Sequence, residues 1–395
     1  MKKYILISLL LISFVLVGAF CGKDTKEETS ESTPFQGKQK IVQTDNKIRD
    51  LAPKVSGDGQ TIVFWRDTDK DNYWDTLVLA DPSGREKGTI KVKGDVFTDK
   101  FGIIAESLDI DYKGNKVVFI GTPFVENWHI ISAMPSYIFV MDLGSKKTIK
   151  INPHDIPEEI YPPEVDAEMA WPTMVRISPD GSKIAFTADV SGVDFGDRHD
   201  VPEDDIVGTA NSDGTGLKAL EKGINGRCLA IDDSGRIFFA RTVGEYGGKW
   251  NLAVVNTGGG LESGQDLGLG IMCYNFSASK NGKRVSGTLV SGEVFVADDS
   301  GKIIAKRSSF PFSMITGDGS RLLGFETTSK LKPEEKGLIY YDIDNNLEQE
   351  GQILDMTYNM TSPNIDASYS GGVIVTEVYD REGRDSDIVI VTWKK

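Results

Sequence analysis

The run Asp67-Thr68-Asp69-Lys70-Asp71-Asn72-Tyr73-Trp74-Asp75 sets carboxylates at nearly alternate positions between two apolar stretches. Alternation of this kind is how an oxygen-rich loop converges on a hard cation, so Asp67, Asp69, Asp71 and Asp75 are candidate calcium ligands. Asn72 stands where such a loop places glycine, and no bidentate Glu closes it, so a plain acidic hairpin is the competing reading. His129, His154 and His199 are the three histidines of the chain, 25 and 45 residues apart. Imidazoles favour transition metals, but ligand sets normally include a short spacing, and solvated loop histidines are the plainer reading. Two acidic connections surround two of them. Asn152 to Trp171 carries His154, Tyr161 and Trp171, and Asp189 to Asp205 carries Asp194, Asp197 and His199. Connections beyond about 12–15 residues are uncommon in packed domains and often functional, which makes these six residues candidates for contact with a partner.

Other chemistry is missing from the sequence. There is no Gly-x-Ser-x-Gly elbow, no His-Glu-x-x-His and no Walker loop, and no catalytic residue is nominated. Apart from Cys21 the cysteines are Cys228 and Cys273, too few for a disulfide framework. A bridge between them would need Cα atoms within about 7 Å, and two buried thiols are the preferred state. The formal net charge of -15 argues against nucleic acid, because a phosphate backbone rewards clustered Lys and Arg.

The elements that must hold these loops show as a repeat. Its clearest copy is Pro172 to Phe186, a strand, the tight turn Ser178-Pro179-Asp180-Gly181, and a second strand. Asp-Gly supplies the positive φ that a hairpin turn requires. The pattern returns at Ser56-Gly57-Asp58-Gly59, Asp111-Tyr112-Lys113-Gly114, Asp233-Ser234-Gly235, Lys280-Asn281-Gly282, Thr316-Gly317-Asp318-Gly319 and Ser370-Gly371-Gly372. Third strands follow at matching places, among them Thr76 to Ala80, Tyr137 to Met141 and Ile388 to Thr392, and Phe64, Phe119, Phe186, Phe239 and Phe325 hold one position in the second strand as packing between units. Four short strands per unit predict a β-propeller blade.

The core Ser-Pro-Asp-Gly-Ser-Lys-Ile-Ala-Phe resembles the TolB-type, WD-like propeller repeat, and the register of all copies extends that resemblance over residues 39–395. The resemblance implies a seven-bladed, all-β propeller of four-stranded antiparallel blades that presents its loops to a protein or glycan partner. A ring of sheets leaves exposed edges unless its ends are sealed. The last repeat stops after its third strand, so the missing outer strand is expected from Lys40-Ile41-Val42-Gln43-Thr44.

Before the repeats, Met1-Lys2-Lys3 precedes an apolar run from Tyr4 to Phe20, which reads as a signal peptide over residues 1–20. Leu16-Val17-Gly18-Ala19-Phe20-Cys21 resembles a bacterial lipobox that places a diacylated Cys21 at the mature N-terminus, although Phe20 departs from the small residue usual there. Residues 21–38 are charged and hydroxylated without apolar periodicity and read as a flexible tether. These features together predict an exported lipoprotein of the cell envelope, periplasmic or on the outer surface, that binds an envelope protein or glycan through an acidic loop face without catalysis. Calcium is the one cofactor considered. The alternative is a metal-dependent polysaccharide lyase or hydrolase that uses the same face.

Overall fold

A turn sets the repeating unit. In the turn after Ile177, the Ser178 hydroxyl donates to Asp180 Oδ1 at 2.6 Å and accepts the Lys183 amide at 2.9 Å, and the same Asp180 oxygen accepts the Ser182 amide at 3.0 Å. Gly181 supplies the left-handed step at φ 70°, where a Cβ would also come within 2.7 Å of the Asp111 carboxylate. The strands leaving this turn are antiparallel, with Ile177 opposite Ile184. Ser56, Ser279 and Thr316 repeat the arrangement with their own hydroxyls. Asp111 and Asp232 replace the hydroxyl by a carboxylate that accepts the amides of Asn115 and Arg236. Either group satisfies the same turn donors, so the repeat varies in sequence while its geometry stays constant.

The computed structural model describes residues 38–42, 48–68, 74–92, 101–123, 136–156, 171–189, 205–224, 229–242, 250–308, 313–326, 337–352, 364–379 and 386–393. Among them are five four-stranded antiparallel sheets. The first comprises Arg49–Val55, Ile62–Asp67, Thr76–Ala80 and Glu86–Lys91; the second Phe101–Ile110, Lys116–Pro123, Tyr137–Asp142 and Thr148–Ile151; the third Trp171–Ile177, Lys183–Asp189, Asp205–Asn211 and Lys218–Ile224. A penultimate sheet comprises Ser313–Ile315, Arg321–Glu326, Gly337–Asp342 and Glu348–Gln352, and the closing sheet Ile365–Ala367, Val373–Tyr379, Ser386–Thr392 and Lys38–Val42.

Between the third and the penultimate sheets lies a single seven-stranded sheet, Leu229–Ile231, Arg236–Thr242, Trp250–Asn256, Gln265–Ala278, Arg284–Leu289, Val294–Asp298 and Ile303–Arg307. Five separate four-stranded blades therefore stand where seven were expected. The difference lies in Gln265–Ala278, one long strand that pairs with Trp250–Asn256 on one side and Arg284–Leu289 on the other, its pairing jumping from Ile271 to Phe276. No proline or tight turn interrupts Leu269 to Ala278, so the chain passes from outer to inner position while still extended.

Both faces of each sheet are covered, which explains second strands that are apolar at nearly every position instead of alternating. All six residues of Ile62–Asp67 are buried. Between the first and second sheets, Val63, Trp65 and Leu77 meet Val117, Phe119 and Met141, with the Trp65 and Phe119 rings edge to face at 5.2 Å. Val118 and Ile138 meet Val175, Ile184 and Phe186 at the next interface, and Ala185 and Val207 meet Ile237 and Phe239 at the one after. Phe64, Phe119, Phe186 and Phe239 are all fully buried between sheets, each contributing about 1.5–3 kcal/mol by burial. Among the described residues no helix is long and apolar enough to cross a membrane.

The ring closes as the terminal pattern implies, with the N-terminal strand shifted by two residues from its expected place. Lys38 pairs with Thr392, Ile41 with Val389 and Val42 with Ile388. The closing sheet then packs Val375, Ile388 and Ile390 on Ile62, Phe64 and Val78 of the first. Hydrogen bonds sew the same seam. The Val55 amide donates to Asp366 Oδ2 at 2.8 Å, the Tyr369 amide to the Gly57 carbonyl at 2.8 Å, and the Ala52 amide to Glu377 Oε2 at 3.0 Å. Ala52 needs that acceptor because the ladder skips from Leu51 to Lys54 and its backbone turns left-handed at φ 52°, which frees its N–H from the sheet. Glu377→Ala strands this buried donor and is expected to cost about 1–3 kcal/mol in urea unfolding, whereas Glu377→Gln keeps an acceptor and loses less. Equal losses for the two variants would show that packing, not the hydrogen bond, holds the seam.

Candidate functional site

Each hairpin turn fixes where its inner strand points. The residue five positions before the turn glycine faces the axis in every repeat: Lys54, Asp109, Arg176, Ala230, Ser277, Met314 and Asp366 precede Gly59, Gly114, Gly181, Gly235, Gly282, Gly319 and Gly371. Together with Lys280 and Asn364 they line a cavity of about 290 Å³ along the axis. At the hairpin end, backbone hydrogen bonds link neighbouring turns around this axis. Asp58 donates to Tyr112, Tyr112 to Pro179, Asp233 to Lys280, Asn281 to Gly317 and Asp318 to Tyr369, at 2.7–3.1 Å. Gly57 lets the Tyr112 ring lie against the backbone, since a Cβ there would meet it at 2.2 Å, and Tyr112 packs edge to face on Tyr369 at 5.5 Å.

The two axial acids serve their neighbours. Asp109 of the second sheet accepts the Ile177 amide of the third at 3.0 Å, and Asp366 of the closing sheet accepts the Val55 amide of the first. Their ionisation is tuned in opposite directions. Burial works against a charged Asp109, but Lys280, Arg176, Lys54 and the Ile177 amide together hold its carboxyl below the ordinary range. Burial dominates at Asp366 and raises its carboxyl, against the pull of Lys54 and the Val55 amide. Burial likewise lowers Lys54, with Asp366 opposing and Arg176 assisting. Arg176 gives one donor to the Val175 carbonyl at 2.7 Å. Among the described residues the ammonium groups of Lys54 and Lys280 make no hydrogen bond and no ion pair within 4.0 Å.

Of the residues singled out from sequence, the described ones lie outside this cavity lining. Asp67 ends the second strand of the first sheet and is fully buried; Asp75 lies ahead of the third strand and accepts the Thr76 hydroxyl at 2.9 Å. Asp69 and Asp71 fall outside the described residues, as do Tyr161, Asp194, Asp197, His199, His129, Cys21 and Cys228. His154 is half-buried in the short 3-10 turn Pro153–Asp155, whose first amides are capped by Asn152. Trp171 opens the inner strand of the third sheet opposite Asp189. Cys273 lies on the shared strand Gln265–Ala278. Among the described residues no three His, Cys, Asp or Glu side chains gather closely enough to hold a metal ion. The axial set was missed because inner strands read as core. Counting back from each turn glycine would have found a charged residue at the same position in four repeats.

No family model matches the chain, and no curated protein matches it. Solved structures do resemble it. An oligogalacturonate lyase in complex with manganese superposes with a TM-score of 0.61 at 12% identity, covering 92% of this chain and 97% of the other. The oligogalacturonate lyase of Vibrio parahaemolyticus gives 0.62 at 12% identity over 91% and 94%. The Cps50 (Swd1) β-propeller domain of Myceliophteria thermophila gives 0.53 at 10% identity over 90% and 100%. At such identities the likeness is one of fold, an all-β propeller of four-stranded antiparallel blades.

The opposite shifts of the axial acids give opposite pH signatures. A lowered Asp109 contributes stability above the ordinary aspartate value of about 3.9, and that contribution is lost as pH falls through the folded value. The deficit of Asp109→Asn should therefore be largest at neutral pH and shrink in acid. A raised Asp366 contributes below the ordinary value, and its contribution is lost as pH climbs through the folded one. The deficit of Asp366→Asn should shrink or reverse toward neutrality. Thermal midpoints recorded from acid to neutral pH check this, and parallel profiles for the two variants would contradict it.

Proposed function

We propose that this chain is an exported, lipid-anchored, TolB-like propeller that works by binding, holding a protein or glycan of the cell envelope at its axial cavity and the loops that surround it. The observation that carries this reading is the cavity itself, about 290 Å³ at the axis and ringed by charged side chains from several inner strands. A purely structural axis would be filled by apolar side chains. Seven blades follow if the seven-stranded sheet is counted as two that share Gln265–Ala278, in keeping with one turn glycine per blade. Non-catalytic binding is favoured because Asp109 and Asp366 are each committed to a neighbouring amide, which makes them poor general bases.

Export and anchoring rest on the apolar run from Tyr4 to Phe20 and on Cys21. The signal peptide covers residues 1–20, the acylated cysteine and tether 21–38, and the propeller 39–395. Such a tether lets the domain reach a partner away from the bilayer. The partner surface would combine the axial cavity with His154, Tyr161, Trp171, Asp194, Asp197 and His199.

A second reading, a metal-dependent polysaccharide lyase or hydrolase, draws support from two fold neighbours described as oligogalacturonate lyases, one of them with manganese. It would place the metal among the loop acids and histidines.

Two experiments test these readings. In intact bacterial cells the native chain should fractionate with membranes and crosslink to an envelope component, while Cys21→Ser should move to the soluble fraction; unchanged fractionation of Cys21→Ser would exclude the lipid anchor. Melting the purified domain in calcium, in manganese and in chelator tests the metals. A site at Asp67 to Asp75 filled at a hundred times its Kd would add about 2.7 kcal/mol, and a midpoint identical in all three conditions would remove both calcium and the metal-dependent enzyme.

A further inference from the structure

We infer that the axial cavity is a receptor for a single carboxylate group, held between Lys54, Arg176 and Lys280. This rests on the binding reading above and names the chemistry that the cavity selects.

The charges on the axis are unequal. Three cations face two carboxylates in a protein whose formal net charge is -15, so the cavity lining runs against the sign of the whole chain. Lys54 and Asp366 feel each other electrostatically and line the same space, yet no ion pair within 4.0 Å joins them. Each acid has instead an amide donor from the next sheet, at 3.0 Å for Asp109 and 2.8 Å for Asp366. The acids are satisfied and two of the cations are not. A lysine ammonium carries three donors, and among the described residues those of Lys54 and Lys280 have no hydrogen-bond acceptor. Arg176 spends one nitrogen on the Val175 carbonyl, which leaves further donors of its planar fork.

Removing charge from water is costly unless it is paired. Burial and the neighbouring Arg176 both press Lys54 toward its neutral form. An anion seated among the three cations relieves both effects. The choice among anions follows from the rest of the lining. Asp109 and Asp366 repel a second negative charge, so a dianionic phosphate is disfavoured against a singly charged carboxylate, whose plane also suits the arginine fork. Asp109, Asp366 and the Asn364 amide then offer acceptors to hydroxyl or amide hydrogens next to that carboxylate. Size sets the upper bound. A volume of about 290 Å³ lies at the low end of small-molecule pockets, which bounds the occupant to a compact acid or to one acidic end of a larger molecule.

The carboxylate has two possible sources, a free small acid or the acidic side chain or C-terminus of a partner protein, and the test separates them. Calorimetric titrations at fixed ionic strength would use gluconate as the free acid, an amidated and acetylated peptide with one central Asp, the same peptide with Asn, and inorganic phosphate. The expected result is saturable binding of gluconate or of the Asp peptide, at least tenfold weaker binding of phosphate and of the Asn peptide, and a tenfold or greater loss with Lys54→Met or Lys280→Met. Lys302→Met, on the exposed outer strand region, should bind as the native protein does. Preference for the free acid or for the peptide identifies the source. Should the lysine variants fail to fold, the native protein alone still decides, through a melting midpoint raised by gluconate and left unmoved by neutral glucose and by equal chloride. No saturable carboxylate binding, equal binding of phosphate, or equal affinity in native and lysine-substituted protein would overturn the site. If the envelope partner still crosslinks to a folded Lys54→Met, Lys280→Met double variant, this inference fails while the binding function stands; carboxylate binding without any crosslinked partner has the converse meaning.

Discussion

A ring of sheets is stable only if its last member meets its first, because every blade here buries both faces and an open ring would leave two of them in water. The closure is made by five residues from the N-terminal side, Lys38–Val42, which complete a sheet whose other strands come from the C-terminal end. The strand removes an exposed edge, and the apolar contact of Val375, Ile388 and Ile390 with Ile62, Phe64 and Val78 supplies the burial. This interface joins residues more than three hundred positions apart in sequence, so it forms at a high entropic cost and must be strongly specified. The specification is polar. Asp366 and Glu377 accept amides of the first sheet that the ladder leaves free, and neither amide has a substitute acceptor in a buried seam.

The charged axis follows from that solution. An inner strand has a sheet neighbour on one side only, so the amides along its free edge need acceptors from the next blade. Carboxylates on the neighbouring blade satisfy them at two seams, Asp366 with Val55 and Asp109 with Ile177. Acids placed there need compensation, and Lys54, Arg176 and Lys280 provide it. Compensation exceeds need by one charge and leaves two ammonium groups without a hydrogen bond. What begins as a requirement of sheet closure ends as a cationic cavity in an acidic protein. The arrangement differs from a salt-bridge network, in which the partners would pair directly.

How far the sequence discloses this differs from element to element. Turn glycines are legible because a positive φ and a hydroxyl two residues before Asp are local needs, met within a few residues; Gly181 and Gly319 announce themselves. The closing strand is legible because the missing outer strand of the last repeat is a non-local deficit that Ile41 and Val42 fill, although the strand begins two residues earlier than expected. Gln265–Ala278 is not, since nothing in Gly270-Ile271-Met272-Cys273 distinguishes a strand that ends from one that continues into the next unit. The axial residues were legible in principle. Lys54 and Arg176 are long cations within apolar inner strands, and the position they share relative to the glycine could have been counted. Sequence alone does not pick them out, because an inner strand reads as core and only the ring reveals a third environment at the axis, neither core nor surface. The acidic loops drew attention by composition, yet composition says nothing about convergence, and Asp67 proves to be buried at a strand end.

The fold neighbours sharpen this point. Identities of 10–12% over nine tenths of the chain leave almost no side chain in common, while TM-scores of 0.53–0.62 keep the path of the backbone. What such proteins share is therefore the fold, whose requirements many residues satisfy. Function cannot be carried by those requirements, because they are met alike by proteins with different names. It must be carried by the positions that packing leaves unconstrained. In a propeller these are the loop tips and the axis-facing residue of each inner strand. On the axis of this chain the choice is lysine, aspartate, arginine, alanine, serine, methionine and aspartate in order, an asymmetric set of which only the two aspartates also hold seams between blades. Asymmetry imposed on a repeating scaffold is what recognition at the axis would require, and under the proposed binding reading the selectivity would lie with Lys54, Arg176 and Lys280 and the two acids that face them.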